Sequence, residues 1–432
     1  MDKFNEPQSF TEYVANLGNE VFHSELQNLE KRSNIILNGE ASHILRKVIP
    51  LKERREHGLF FTGVKISNKL AGSVRDELRE GRKICDPTCG SGDLLIACAR
   101  YLPIKENLNL TLELWADLVK GYDVRDDFIE LTKLRLLLLA AIRTKQINTL
   151  QNINRFETLF PNINKSDLLS NTNLFQEDEI IVFNPPYGYT SVRENIFWAS
   201  GTVQKAAIFF EKILDQTNAK NKILAILPDV LRSGSRYRSW RNHVASFGKK
   251  FYINILGKFD KFTDVDVFLL QFNLSSNKKH GWEVKHPSIN HKKKVADLFD
   301  ISVGSVVPHR NIGIGSWKNF LTSSESISWG NVSHFRKIRY NGKCVKPPFV
   351  VIKRTSSPND RFRAVGTIVR GKEPVAIENH LIIAKPLIES IQICEELLIN
   401  LKNDKTNKWL NNRIRCRHLT TESIKSLPLW DK

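Results

Sequence analysis

The sequence predicts a doubly wound, mostly parallel α/β sheet followed by a basic, mixed α/β domain. Three observations predict it. Between residues 56 and 275, short apolar runs alternate with helical patterns. The runs are continuously apolar, as in Ile180-Ile181-Val182-Phe183, which suits strands covered on both faces. Two of them end in chemistry-bearing turns, Asp86-Pro87-Thr88-Cys89-Gly90-Ser91-Gly92 and Asn184-Pro185-Pro186-Tyr187.

Residues 1–55 read as an N-terminal helical cap, because Leu26, Leu29, Ile44, Leu45 and Val48 recur at helical spacing. The catalytic-type region follows at 56–275. Lys83-Ile84-Cys85 is a strand running into Asp86 and its Gly-rich turn, and Asp93 to Tyr101 is a helix. Trp115 to Tyr122 leads as a strand to Asp123, with a long helix from Phe128 to Ile142 after it. Ile180 to Phe183 is the next strand, Ala206 to Leu214 a helix, and Lys222 to Leu227 a strand ending at Pro228. Phe251 to Leu256 and Val265 to Phe272 complete the sheet. Ser275 to Gly281 is a polar, linker-like stretch, and the alternation stops there. Residues 276–432 form a separate basic domain, with β-type runs at Val303–Val307, Phe349–Ile352, Val365–Val369 and Leu381–Ile383, and a helix at Ile388–Leu401.

A chain of 432 residues holds two or three domains. Its 65 Lys and Arg against 46 Asp and Glu leave a net charge of +19. Such an excess favours a polyanion partner, although solubility or a Lys-rich genome accounts for charge equally well. Six scattered cysteines form neither a zinc-ribbon pattern nor a disulfide framework, which fits free thiols in a reducing cytoplasm. Met1 to Phe10 is polar and acidic, unlike a signal peptide. No apolar run approaches the roughly 20 residues that span a bilayer. The longest, Leu134 to Ile142, is interrupted by Arg135. A cytoplasmic chain without a membrane segment is expected.

The turn at Asp86 has the chemistry of a nucleoside site. Gly90 and Gly92 let a ligand approach the backbone closely at a strand's carboxyl end. Asp86 can accept charge-assisted hydrogen bonds from an ammonium group. Asp123, ending the next strand, can accept from both hydroxyls of a ribose. No Gly-Lys-Ser/Thr follows, and the full Gly-x-Gly-x-x-Gly is absent. An acidic residue before the turn repels phosphate. A ligand with an ammonium and a ribose but no phosphate is S-adenosylmethionine. Thr62, in Phe60-Phe61-Thr62-Gly63, is placed to meet the cofactor's carboxylate. Asp167 is placed to accept from its adenine amino group, or else to cap a helix. No metal is called for.

Asn184-Pro185-Pro186-Tyr187 suits activation of a planar amine, whose lone pair is delocalised into its ring. The Asn184 side-chain carbonyl and the Pro185 backbone carbonyl are two acceptors that can draw the N–H groups out of plane. Pro186 holds Pro185 extended. Tyr187 can stack on the substrate ring and replace part of the stacking that a flipped-out base loses. The plain alternative is a Pro-Pro turn that ends a strand. Catalysis of this kind is positioning plus hydrogen bonding.

With these motifs in this order, the chain resembles the N6-adenine DNA methyltransferases of restriction–modification systems. The resemblance covers residues 56–275 well and the rest loosely. Phe60 to Ala71, then the Gly-rich motif, then Asn-Pro-Pro-Tyr, then a C-terminal region is similar to the gamma arrangement, in which target recognition follows catalysis. It implies the S-adenosylmethionine-dependent methyltransferase fold. It also implies that Thr62, Asp86, Gly90, Gly92, Asp123 and Asp167 hold the cofactor, and that Asn184, Pro185, Pro186 and Tyr187 hold the target adenine. The family's second base-sandwiching aromatic falls in Gly257 to Val265, where Phe262 is the first choice and Phe259 the second; either can instead be core. Asp93 departs from the small or apolar residue usual after the turn. Glu378 to Leu381 and Asn412 to Leu419 are similar to target-recognition segments. Arg413, Arg415 and Arg417 alternate as on one face of a strand, and Lys353, Arg354, Arg361 and Arg363 are further DNA-binding candidates. Solvated surface charge is the alternative for each. The implied partners are double-stranded DNA and a separate restriction endonuclease, in a bacterial or archaeal cell.

Other readings stay open on the residues alone. An RNA adenine methyltransferase shares the motif, and positive charge does not separate the two polymers. Small glutamine methylases also share it but need no basic C-terminal region. Cytosine-N4 methylation is expected to carry a Ser-Pro-Pro-Trp type motif. A catalytically silent DNA-binding subunit is the reading from another class. Intact Asn184, Asp86 and Asp123 argue against it.

Overall fold

The computed structural model describes residues 7–153, 155–260, 265–275, 293–308, 310 and 313–430. The chain divides into two compact units, Met1–Leu231 with Arg236–Val284, and Arg232–Ser235 with Lys285–Lys432.

The first unit opens with helices α1 (Phe10–His23), α2 (Leu26–Leu37), α3 (Glu40–Val48) and α4 (Leu51–His57). Ser9 caps α1 by accepting the Glu12 N–H at 3.1 Å. Phe10, Tyr13, Val14, Leu17 and Val21 recur at helical spacing and are its buried face. Helices α5 (Val64–Gly72) and α6 (Arg75–Arg79) lead into β1 (Ile84–Asp86), followed by α7 (Asp93–Ala99), α8 (Leu108–Leu118), β2 (Val119–Asp123) and α9 (Asp126–Arg143). Then come β3 (Ile163–Lys165), β4 (Ile180–Phe183), β5 (Tyr189–Ile196), β6 (Ala199–Gln204), α10 (Lys205–Leu214), β7 (Lys222–Pro228), α11 (Asp229–Ser233), α12 (Arg238–Phe247), β8 (Gly248–Lys258) and β9 (Asp266–Leu274).

Seven strands form one sheet in the order β3-β2-β1-β4-β7-β9-β8. The first five are parallel, and β9 runs antiparallel to both β7 and β8. Every residue of β1 and β4 is buried, as the unbroken apolarity of Ile84-Cys85 and of Ile180 to Phe183 requires when helices cover both faces. Helix α9 is buried nearly all round. Phe10 of α1 packs edge-on against its Phe128 at 5.3 Å between centroids, so the N-terminal helices join the main core.

Three differences from the sequence reading have local causes. Trp115 lies in α8 rather than in a strand, because the Asn107 cap extends that helix to Leu118 and its indole N–H donates to Pro103 O at 2.9 Å. The β5–β6 hairpin has no apolar alternation to announce it and pairs only with itself. Helix α12 buries only Trp240, Val244 and Ala245, a short stripe at helical spacing.

The second unit holds β10 (Phe299–Val303), β11 (Ser316–Leu321), β12 (Asn331–Val332), β13 (Arg336–Tyr340), β14 (Phe349–Lys353), β15 (Gly366–Val369), β16 (Val375–Ile377) and β17 (Leu381–Pro386), then α13 (Ile391–Lys402), α14 (Asp404–Arg413) and α15 (Thr421–Lys425). A five-stranded sheet runs β10-β17-β14-β15-β12 and a three-stranded one runs β13-β11-β16. The α13 residues Cys394, Leu397 and Leu401 pack on one face of the larger sheet. Val303 ends β10 instead of beginning a strand, and beyond it only Val306 bridges, to Glu378.

Candidate active site at the carboxyl ends of the parallel strands

Parallel pairing places the carboxyl ends of β2, β1 and β4 side by side. Asp123, Asp86 and Asn184 therefore stand in that order along one edge of the sheet, where doubly wound sheets bind ligands. One pocket there is lined by Phe60, Thr62, Asp86, Thr88, Gly90 and Asn184, among others.

The glycine turn is bound to the strand ends by its backbone. Cys89 N–H donates to Tyr122 O at 2.8 Å, and Gly90 N–H donates to Asp123 Oδ2 at 3.0 Å. Thr132 of α9 donates its hydroxyl to Gly90 O at 3.0 Å. Gly92 has φ +81°, and a Cβ there would stand 2.8 Å from Thr132, so geometry and space both require glycine. Asp86 is 1 % exposed, and its Oδ1 accepts the Thr88 N–H at 3.0 Å. Burial pushes its carboxyl well above the usual carboxylate range, only partly offset by that N–H. Burial raises the Asp123 carboxyl too, against the N–H groups of Arg125 and Gly90. Two desolvated carboxylates fit a cationic, hydroxyl-bearing ligand, as S-adenosylmethionine is.

Behind the turn, Arg135 of α9 is 1 % exposed. Its guanidinium donates to Ser91 O, to Asp93 Oδ1 at 2.8 Å and to Leu37 O at 3.3 Å. Asp93 is thus the partner of a buried cation. The signal lay in the sequence as the one charge inside Leu134 to Ile142.

Asn184 is gripped at both ends of its amide. Its Nδ2 donates to Thr62 Oγ1 at 3.0 Å and reaches Phe60 O at 3.5 Å. Its Oδ1 accepts the Tyr187 hydroxyl at 2.6 Å. Thr62, expected on the cofactor side, orients the amide in this structure. Tyr187, expected as a stacking surface, is turned inward: it is 6 % exposed and its ring meets Phe259 edge-on at 5.4 Å. Burial raises the Tyr187 phenol, so it stays a proton donor. Pro186 is backed by Gly58, where a Cβ would lie 2.4 Å from the proline Cβ. Phe259 is 4 % exposed and part of the core, whereas Phe262 lies outside the described residues.

Asp167 follows β3 and is exposed. Its two oxygens accept from Leu169 N–H and Ser170 Oγ, each at 2.9 Å, so it closes its own turn and starts no helix.

The cationic candidates of the second unit separate by burial. Arg363 is fully buried and donates to the carbonyls of Ser356, Ile414 and Cys416, which makes it a core strut. Arg413 ends α14 with its guanidinium 5.1 Å from the Trp409 ring, and Arg415 and Arg417 follow outside any strand. The three do not share a strand face, because α14 runs on to Arg413. Arg361 is exposed beside Phe362. Arg354 is half-buried and reaches Asn379 O at 3.4 Å. Burial and then the charges of Arg354, His380 and Arg417 push the His418 imidazole down, which marks a concentration of positive potential. Among the described residues, no His, Cys, Asp and Glu group could hold a metal, and no helix is long and apolar enough to cross a membrane.

Residues 42–243 match the N-6 DNA Methylase family. Modification methylase CviBIII of Paramecium bursaria Chlorella virus NC1A is 22% identical over 408 residues, 89% of this chain and 96% of that protein. The type IIL restriction-modification enzyme MmeI, solved in complex with DNA, superposes with a TM-score of 0.50 at 14% identity, over 88% of this chain and 69% of that one. At that identity the likeness to MmeI is one of fold.

Proposed function

With residues 42–243 matched to the N-6 DNA Methylase family, we propose that this chain is an adenine-specific DNA methyltransferase of restriction–modification type and that it acts on an adenine flipped out of duplex DNA. The observation that carries the reading is Asn184, fixed by Thr62 and Tyr187 beside the buried Asp86. S-adenosylmethionine, held there, supplies the sulfonium methyl group.

Asp86 binds the cofactor's ammonium, and Asp123 its ribose hydroxyls through lone pairs that Gly90 and Arg125 leave open. Asn184 Oδ1 and the Pro185 carbonyl accept hydrogen bonds from the two N–H groups of the adenine amino group, which localises its lone pair for attack. Tyr187 then has two tasks in sequence. Inward, its hydroxyl orients Asn184. To stack on the base, its ring must leave Phe259 and release Asn184 Oδ1, so base entry and acceptor release are one event. Phe262 is proposed as the second face of the base sandwich, and residues 276–432 as the part that reads the target sequence.

The test is methyl transfer from labelled S-adenosylmethionine to mixed-sequence duplex DNA, with an RNA of matched sequence in parallel. Wild type labels DNA at N6 of adenine within one sequence. Asn184→Ala loses about 10²–10³-fold in rate while still binding cofactor. Label on RNA alone moves the substrate to RNA. Cofactor binding without label on either polymer leaves the silent DNA-binding subunit.

A further inference from the structure

Within residues 276–432, the strands β11 and β13 carry a surface whose side chains have no individual role above. Their register pairs Trp317 with Arg339 and Asn319 with Lys337, so these four side chains share one face. Further along the same face Leu321, Val375 and Ile377 are buried against the second unit's core. The sheet then runs past that core. Trp317 is 67% exposed, Lys337 and Arg339 are exposed, and Ile314 in the preceding turn is 77% exposed. Arg339 Nε donates to Gly315 O at 3.1 Å, which fixes the guanidinium beside the turn. An indole left in water beside two cations forfeits burial that an aromatic of this size ordinarily finds.

We infer that the Trp317–Lys337–Arg339 face is a contact surface for duplex DNA, with the two cations on phosphates and the indole against the sugar–base edge. The inference rests on the proposal that this chain methylates DNA. Charge complementarity selects the occupant: a chain of net charge +19 presents paired cations on an open sheet face, and neutralising phosphates releases counterions. An apolar protein partner would have to desolvate both cations.

The full-length chain is titrated with duplex DNA that wild type methylates, across a salt series. Lys337→Ala/Arg339→Ala lowers DNA affinity and reduces the slope of log K against log salt by about 2. Trp317→Ala lowers affinity by about ten-fold with the slope unchanged. Cofactor affinity and thermal midpoint stay at the wild-type values in both, because all three side chains are exposed. Wild-type DNA affinity and slope in the double variant would overturn the inference. So would a change in solution mass without a change in DNA affinity, which would make this face an interface between copies. A wild-type chain that binds cofactor but neither binds nor methylates DNA removes the underlying proposal as well.

Discussion

Replacing Arg135 by methionine removes the cation behind the cofactor turn while keeping an unbranched side chain. Arg135 is 1% and Asp93 10% exposed, so the substitution strands a largely desolvated carboxylate. It also takes donors from the carbonyls of Ser91 and Leu37. Breaking a buried pair from one side costs about 3–5 kcal/mol. The residual exposure of Asp93 puts this case near the lower end. For a folded unit of this size such a loss lowers the thermal midpoint by on the order of 10 °C. The turn from Gly90 to Asp93 also loses its anchor, and an error of about 1 Å there is expected to weaken cofactor binding roughly ten-fold or more. Asp93→Asn added to Arg135→Met removes the stranded charge and recovers about half the stability but not the cofactor affinity. Thermal denaturation and calorimetric cofactor titration of the two variants decide the matter. If Arg135→Met stays within about 1 kcal/mol of wild type, or Asp93→Asn recovers nothing, the pair does not hold the turn.

Other consequences are testable on the same preparations. Tyr187→Phe keeps the ring but loses the hydroxyl on Asn184, so it costs about 1 kcal/mol of stability and less than about ten-fold in rate. Tyr187→Ala should lose a further ten- to hundred-fold through base stacking, and equal rates for the two variants would remove the stacking role. Thr62→Val frees one end of the Asn184 amide. A fall in kcat with cofactor KM unchanged is expected if Thr62 acts through Asn184, and a rise in cofactor KM if it touches the cofactor. Because burial raises Asp86 in the folded chain above its unfolded value, the folded state holds that proton longer. As pH rises from the unfolded pKa through the folded one, the ligand-free protein loses stability and then levels off. The cofactor's ammonium needs the ionised form, so its affinity rises over the same window. Asp86→Asn should flatten the stability trend and abolish tight binding. A wild-type affinity that does not vary with pH there would refute the role.

The sequence alone determined the features that depend on neighbours along the chain. Continuous apolarity marked β1, β4 and β7 as doubly covered strands, and turn chemistry at Asp86 and Asn184 marked their carboxyl ends. Glycine spacing placed the cofactor turn, and the polar stretch after residue 275 lies close to the boundary between the units. What the chain could not reveal locally was which groups would meet across it. Arg135 reads as an interruption of a helix until folding brings Ser91 and Asp93 onto it from 44 and 42 residues away. Tyr187 reads as a stacking ring, and only packing against Phe259 and a hydrogen bond to Asn184 turn it inward. Arg363 and Arg413 look like equivalent surface cations, yet one is sunk among three carbonyls and the other is the last residue of a helix. Propensity and periodicity act over a few residues, whereas burial and pairing are settled by contacts between distant ones. The tertiary structure therefore decided how each candidate group is held, after the sequence had singled out the candidates.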